Sequence, residues 1–283
     1  PALVSNPWLN GRLTALHACS DLWACGAGVS SAMATVTLPM VPGNEQRELL
    51  VQTLAGIRSV LDEQGAELIG GHTMESRSTS PMPTSLGVQI TLTVNGNSSA
   101  PPWLKSGLRI GDALLISRPL GTGVLFAGAM TGASKAADLD AALRGMARSQ
   151  HTLLQQLAPL REGIHACTDI TGFGLLGHLG EMLQNTQELT IQLDGAAIPA
   201  YPGALELFER GFSSTLAPSN RAAWRWLEGP VQLQQQPSAA LLELLVDPQT
   251  CGPLLLACTS AAAAHLTRTG PWIEIGNATA VHE

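Results

Sequence analysis

The chain has 283 residues, room for one large or two medium domains and a substantial core. With 45% hydrophobic and 13% charged residues it is globular rather than disordered, and a formal charge of −7 without runs of like charge excludes a large nucleic-acid surface. The five cysteines are odd in number and form no Cys-x-x-Cys pair, which argues against a disulfide framework or structural zinc and for reduced thiols in the cytoplasm. No stretch approaches 18 uninterrupted apolar residues and no secretory signal opens the chain, so no membrane association is expected.

Residues 1–10 read as extended, broken by Pro7. A helix is predicted over residues 11–25, with Leu13, Leu16, Ser20 and Trp23 as its buried stripe and Gly26 and Gly28 as its stop. Residues 32–38 form a strand ended by Pro39. A turn at Pro42-Gly43-Asn44 follows, Asn44 capping a helix that buries Leu50, Leu54, Ile57 and Leu61. A short strand at 67–69 delivers Gly70-Gly71-His72-Thr73 into a loop. Strict alternation from Leu86 to Val94 gives the clearest strand, and residues 97–102 read as a linker. The predicted domains are 1–105 and 106–283.

In the second half, a buried strand at 113–117 leads through Gly121-Thr122-Gly123 into a short helix ending at Met130. One long helix is expected over 138–157. Residues 166–179 follow, a strand end at Asp169, then Thr171, a turn at Gly172 and Gly174, and an apolar helix using Leu175, Leu179, Met182 and Leu183. Residues 213–238 read as a surface excursion. Two strands, 241–246 and 254–257, are expected to flank Asp247-Pro248-Gln249-Thr250-Cys251-Gly252-Pro253.

Three glycine-bearing turns after strands (70–73, 121–123 and 172–174) suit phosphate, because glycine admits the anion close to backbone amides at a helix start. Asp21 and Asp169 are the magnesium candidates, since this ion takes few carboxylates and keeps waters and substrate phosphates. Each has a plain alternative, a helix-end or surface role for Asp21 and a helix cap for Asp169. His17 shares a helix face with Asp21, and His72 offers a ring N–H to phosphate or stabilises its turn. His178 reads as a packing residue, and Cys19 and Cys25 as small buried groups.

Together, HACSDLWACGA (17–27), ELIGGHT (67–73), GDALLISRPLGTGVLFAGAM (111–130), ACTDITGFGLLGHLGEM (166–182), the Pro-Gly-Ala-Leu stretch from Pro202 and DPQTCG (247–252) resemble the selenophosphate synthetases. These are selenide, water dikinases within the aminoimidazole-ribonucleotide-synthetase-like superfamily. The resemblance spans nearly the whole chain in family order. It implies an α/β (α+β) fold of two domains, the first ATP-binding, incomplete here and forming a barrel across a homodimer, the second an α/β sandwich.

It further implies ATP, Mg2+ and selenide as reactants, giving selenophosphate, AMP and phosphate. Asp21 and Asp169 become metal ligands, and Asp21, Gly70, Gly71, His72 and Thr73 ATP contacts. The family's preceding glycine-rich segment, with its reactive Cys or selenocysteine and its Lys, has no counterpart in these residues, so no catalytic nucleophile is assigned and the chain is expected to be part of a longer enzyme. Ser5-Asn6-Pro7 stands where the family commonly has Asp-Asp-Pro, and Arg118 where it has Lys. Alternatives are another ATP-dependent synthetase or small-molecule kinase of the superfamily, or a non-catalytic dimeric scaffold.

Overall fold

The computed structural model describes residues 4–76, 87–184, 186, 188–227 and 229–281. The chain divides into two compact units. One comprises Pro1–Trp23, Ala27–Pro101 and Ser149–His151, and the other Ala24–Gly26, Pro102–Arg148 and Thr152–Glu283.

The first unit runs α1 (Pro7–Ala24), β1 (Gly28–Leu38), α2 (Gly43–Asp62), β2 (Glu67–Glu75) and β3 (Gln89–Asn97). Its sheet has the order β2-β1-β3, with β2 parallel and β3 antiparallel to β1. The predicted stripe of Leu13, Leu16, Ser20 and Trp23 is buried. Helices α1 and α2 cross at two glycines: a Cβ on Gly56 would collide with the Trp8 carbonyl oxygen, and one on Gly11 with that of Thr53. Directly opposed residues share a face. Ala32, Ala34 and Val36, buried, therefore lie with Val94, Leu92 and Ile90, whereas Met33, Thr35 and Thr37 lie with Thr93, Thr91 and Gln89 on the opposite face.

The second unit continues with β4 (Ala113–Ile116), α3 (Thr122–Met130), α4 (Ala136–Met146), α5 (Leu153–Leu157), a 3-10 turn (Ala158–Gly163), β5 (Ile164–Asp169), α6 (Gly174–Met182) and β6 (Leu189–Leu193). It is completed by α7 (Ala204–Glu209), α8 (Ala217–Asn220), α9 (Ala222–Leu227), β7 (Val231–Leu233), α10 (Ala239–Val246), β8 (Leu254–Cys258), α11 (Ser260–Thr269) and β9 (Ile273–Ala280). The six strands are ordered β5-β8-β4-β9-β6-β7. Leu114, Ile116, Leu255 and Ala257 join a core with residues of α3, α6, α7 and α10, while Leu115, Leu254 and Leu256 join a second core with α5 and α11. Helices on both faces explain why β4 and β8 are apolar without alternation.

Several sequence expectations give way. Pro7 opens α1 rather than breaking an extended segment: Asn6 Oδ1 accepts from Leu9 N at 2.9 Å, and Pro in the first turn has no N–H to lose. Asn44 is not the cap of α2. Pro42 holds that position, and Thr53, Gly56, Ile57, Val60 and Leu61 are buried, with Leu50 and Leu54 only half-buried. The helix expected over 138–157 is two helices, with Arg118 Nη1 and Nη2 capturing the carbonyls of Gly145 and Arg148 where α4 ends. The 241–246 strand is α10, capped by Ser238 Oγ accepting from Leu241 N at 3.1 Å. The 213–238 excursion contains α8, α9 and the edge strand β7. Leu86, expected to start β3, lies outside the described residues.

Candidate functional site

In the first unit, Asp21 is exposed near the C-terminal end of α1, three residues before Ala24. Gly70, Gly71, His72 and Thr73 do not form a turn. They are part of β2, which continues to Glu75 because a bulge at Ile69 lets the pairing resume at Met33↔Gly70. Gly70 and His72 oppose Met33 and Thr35 and so share the sheet face away from the helices. Gly71 and Thr73 oppose Ala34 and Val36. Gly71 has φ +146° and any Cβ there would strike the Ala34 carbonyl oxygen, so only glycine lets the strand pair this closely. All four residues are exposed.

In the second unit, Asp169 ends β5 and is buried. The cap position of α6 falls to Phe173, four residues later. The intervening turn is pinned from four sides. Ile170 N donates to Pro253 O at 2.8 Å, and Gln249 N and Gly174 N donate to Thr171 O at 2.9 and 3.1 Å. Asn220 Nδ2 donates to Gly172 O at 2.8 Å, and Thr171 N donates to His178 Nε2 at 3.0 Å. Among the described residues no hydrogen bond engages the amides of Gly172 and Phe173.

The second glycine turn is closed to anions. Gln249 Oε1 accepts from Gly121 N, Thr122 N and Thr122 Oγ1 at 3.0, 3.2 and 3.1 Å, and Asp247 Oδ2 accepts from Gly123 N at 2.9 Å. The start of α3 is thus capped from within the chain. Burial pushes the Asp247 carboxyl up to about 7, against the pull of Val124, Gln249 and Gly123. Of the three glycine segments, only that at 172–174 keeps free amides at a helix start.

Burial disfavours the thiolate form of the buried cysteines. Burial raises Cys19 and Cys258 to about 12, and Cys251 to about 12 despite Arg118. None of the five cysteines is in a disulfide. Among the described residues no cluster of three or more His, Cys, Asp or Glu could hold a metal ion.

Sequence reasoning passed over Asp247, Gln249, Asn220 and the His178–Glu181 pair. The spacing of His178 and Glu181 by three on a helix was the available signal for the last.

The profile of the AIR synthase related protein N-terminal domain matches residues 1–96, and that of the C-terminal domain residues 109–283. The selenide, water dikinase of Bdellovibrio bacteriovorus is 31% identical over 269 residues, 94% of this chain and 72% of the relative. That of Pseudomonas straminea is 32% identical over 262 residues, 91% of this chain and 68% of the relative. The chain belongs to the selenide, water dikinase family. It is a phosphotransferase of that type, with the AIR synthase-like two-domain fold. Solved structures share the fold at lower identity. Hydrogenase maturation protein HypE matches with a TM-score of 0.67 at 21% identity, over 97% of this chain and 75% of its own. Thiamine-monophosphate kinase from Stenotrophomonas maltophilia matches with a TM-score of 0.68 at 17% identity, over 97% and 77%. No described helix is long and apolar enough to cross a membrane.

Proposed function

We propose that this chain carries the ATP-using machinery of selenophosphate synthesis, in which ATP, selenide and water give selenophosphate, AMP and phosphate. The observation that carries the reading is the 169–174 turn: a buried carboxylate, then two unengaged amides at the start of a nine-residue helix. Family membership with the selenide, water dikinases supports the choice of acceptor.

Asp169 would hold magnesium, and the Gly172 and Phe173 amides, at the positive end of α6, would bind a phosphate oxygen. Asp21, in the first unit, is the other proposed metal and ATP ligand. It stands in the last turn of α1. His72, on the open face of β2, would donate to a phosphate from its ring, with Gly70, Gly71 and Thr73 supporting the backbone approach. Magnesium, when bound, neutralises the phosphate chain. The protein residues position the nucleotide and exclude unproductive geometries. Cysteines without disulfides fit a reducing compartment, the cytoplasm. The exposed Met33 and Met74 on the open sheet face support a homodimer built through that face.

Phosphorus NMR of the chain with ATP, Mg2+ and selenide tests the reaction. Selenide-dependent appearance of selenophosphate, AMP and phosphate together is expected. ADP formation independent of selenide would instead support a small-molecule kinase.

A further inference from the structure

His178 is buried inside α6, yet both ring nitrogens are engaged. Thr171 N lies 3.0 Å from Nε2 and can only donate, so Nε2 must carry the lone pair. The proton is then on Nδ1, which is 2.9 Å from Glu181 Oε2. Glu181 is in turn held by Lys105 Nζ at 3.0 and 3.2 Å. Thr171 Oγ1, at 3.3 Å, faces the same Nε2. The ring is therefore fixed in one tautomer, with the turn at one end and an ion pair at the other.

We propose that His178 is the positioning residue of the Asp169 turn: as the neutral Nδ1–H tautomer it accepts the Thr171 amide proton and so fixes the backbone that aims Asp169 and the free amides of Gly172 and Phe173. This rests on the role given above to that turn, and it assigns a function to a histidine that the nucleotide need not touch. A second proton on the ring would occupy Nε2 and turn an acceptor into a donor facing another donor. Burial lowers the His178 pKa and disfavours that form, working against Glu181 and Asp169, which favour it, and with Lys105, which opposes it. Residues that orient a metal-binding group typically alter affinity by roughly 10–100-fold when removed.

Two readouts separate this proposal from the nucleotide assignment. Long-range proton–nitrogen NMR of the histidine rings in the unliganded chain should show His178 as the Nδ1–H tautomer at pH 7, with the Thr171 amide protected from exchange. His178→Leu should lose that protection and weaken Mg2+–ATP binding by at least about tenfold. His178→Gln, whose side-chain oxygen can reach the Nε2 position, should restore most of both. An Nε2–H or doubly protonated ring at pH 7 would overturn the proposal. So would a folded His178→Leu with wild-type Thr171 protection and wild-type ATP affinity. If His178→Leu does not fold, His178→Gln decides: loss of Thr171 protection there, despite a retained Nδ1–H tautomer in the wild type, counts against it. If the wild type binds no ATP, the nucleotide assignment fails, while tautomer and amide protection still decide whether His178 holds the turn.

Discussion

Asp247 carries an ionisation cost that titrates near neutrality. Its folded pKa of about 7 stands above the ordinary 3.8, so between those values the folded chain keeps a proton that the unfolded chain has lost. The contribution to stability is fully present below about pH 4 and is lost as pH rises through about 7. Asp247→Asn keeps an acceptor for Gly123 N and removes the titration. Urea denaturation should therefore show the variant gaining on the wild type by a few kcal/mol, at most ~4, between pH 4 and pH 8. A difference independent of pH would mean that the carboxyl does not ionise in this window. The sequence offered little warning of this residue. An Asp-Pro-Gln-Thr loop reads as a simple connection until the fold brings it against the start of α3, more than 120 positions earlier in the chain. Asp169 was legible as a candidate but not as distinct from a helix cap, because the position of the cap depends on where the backbone leaves β5.

At the scale of elements, the helix crossing in the first unit is set by glycines and not by large side chains. Gly56→Ala would force the Trp8 carbonyl away and should cost on the order of 1–3 kcal/mol in urea denaturation. Gly43→Ala, where a Cβ meets nothing within 4 Å, should be close to neutral. Equal effects of the two would show that the crossing tolerates separation. Periodicity located α1, α6 and β3, while short apolar or β-branched runs located β1, β4 and β8. It failed where the period was not the deciding quantity. The 241–246 apolar run is short enough for strand or helix, and Ser238 decided for helix by capping. The 138–157 pattern continued through a break made by Arg118 binding backbone carbonyls, which no local pattern encodes. The glycines at 70 and 71 looked like a turn, whereas they allow a bulged strand to pair closely.

For the whole molecule, the sheet of the first unit has one face packed by helices and one that presents Met33, Thr35, His72 and Met74. If that face joins two copies, Met33→Glu combined with Met74→Glu should convert a dimer to a monomer in sedimentation velocity with little change in secondary structure. An unchanged dimer would place the interface elsewhere. Fold class was readable through the family resemblance that the motifs and their order carry. The division of labour among the glycine segments was not, because it depends on which amides the folded chain consumes: Gln249 and Asp247 take those at 121–123, while those of Gly172 and Phe173 are left.

The proposed role of Asp169 as a magnesium–nucleotide ligand is directly measurable. Titration calorimetry with ATP, with and without Mg2+, on wild type and Asp169→Asn measures this. Binding should require Mg2+ and weaken by at least about tenfold in the variant, a loss of ~1.4 kcal/mol or more. Equal Mg2+-dependent affinity in the two proteins would contradict it.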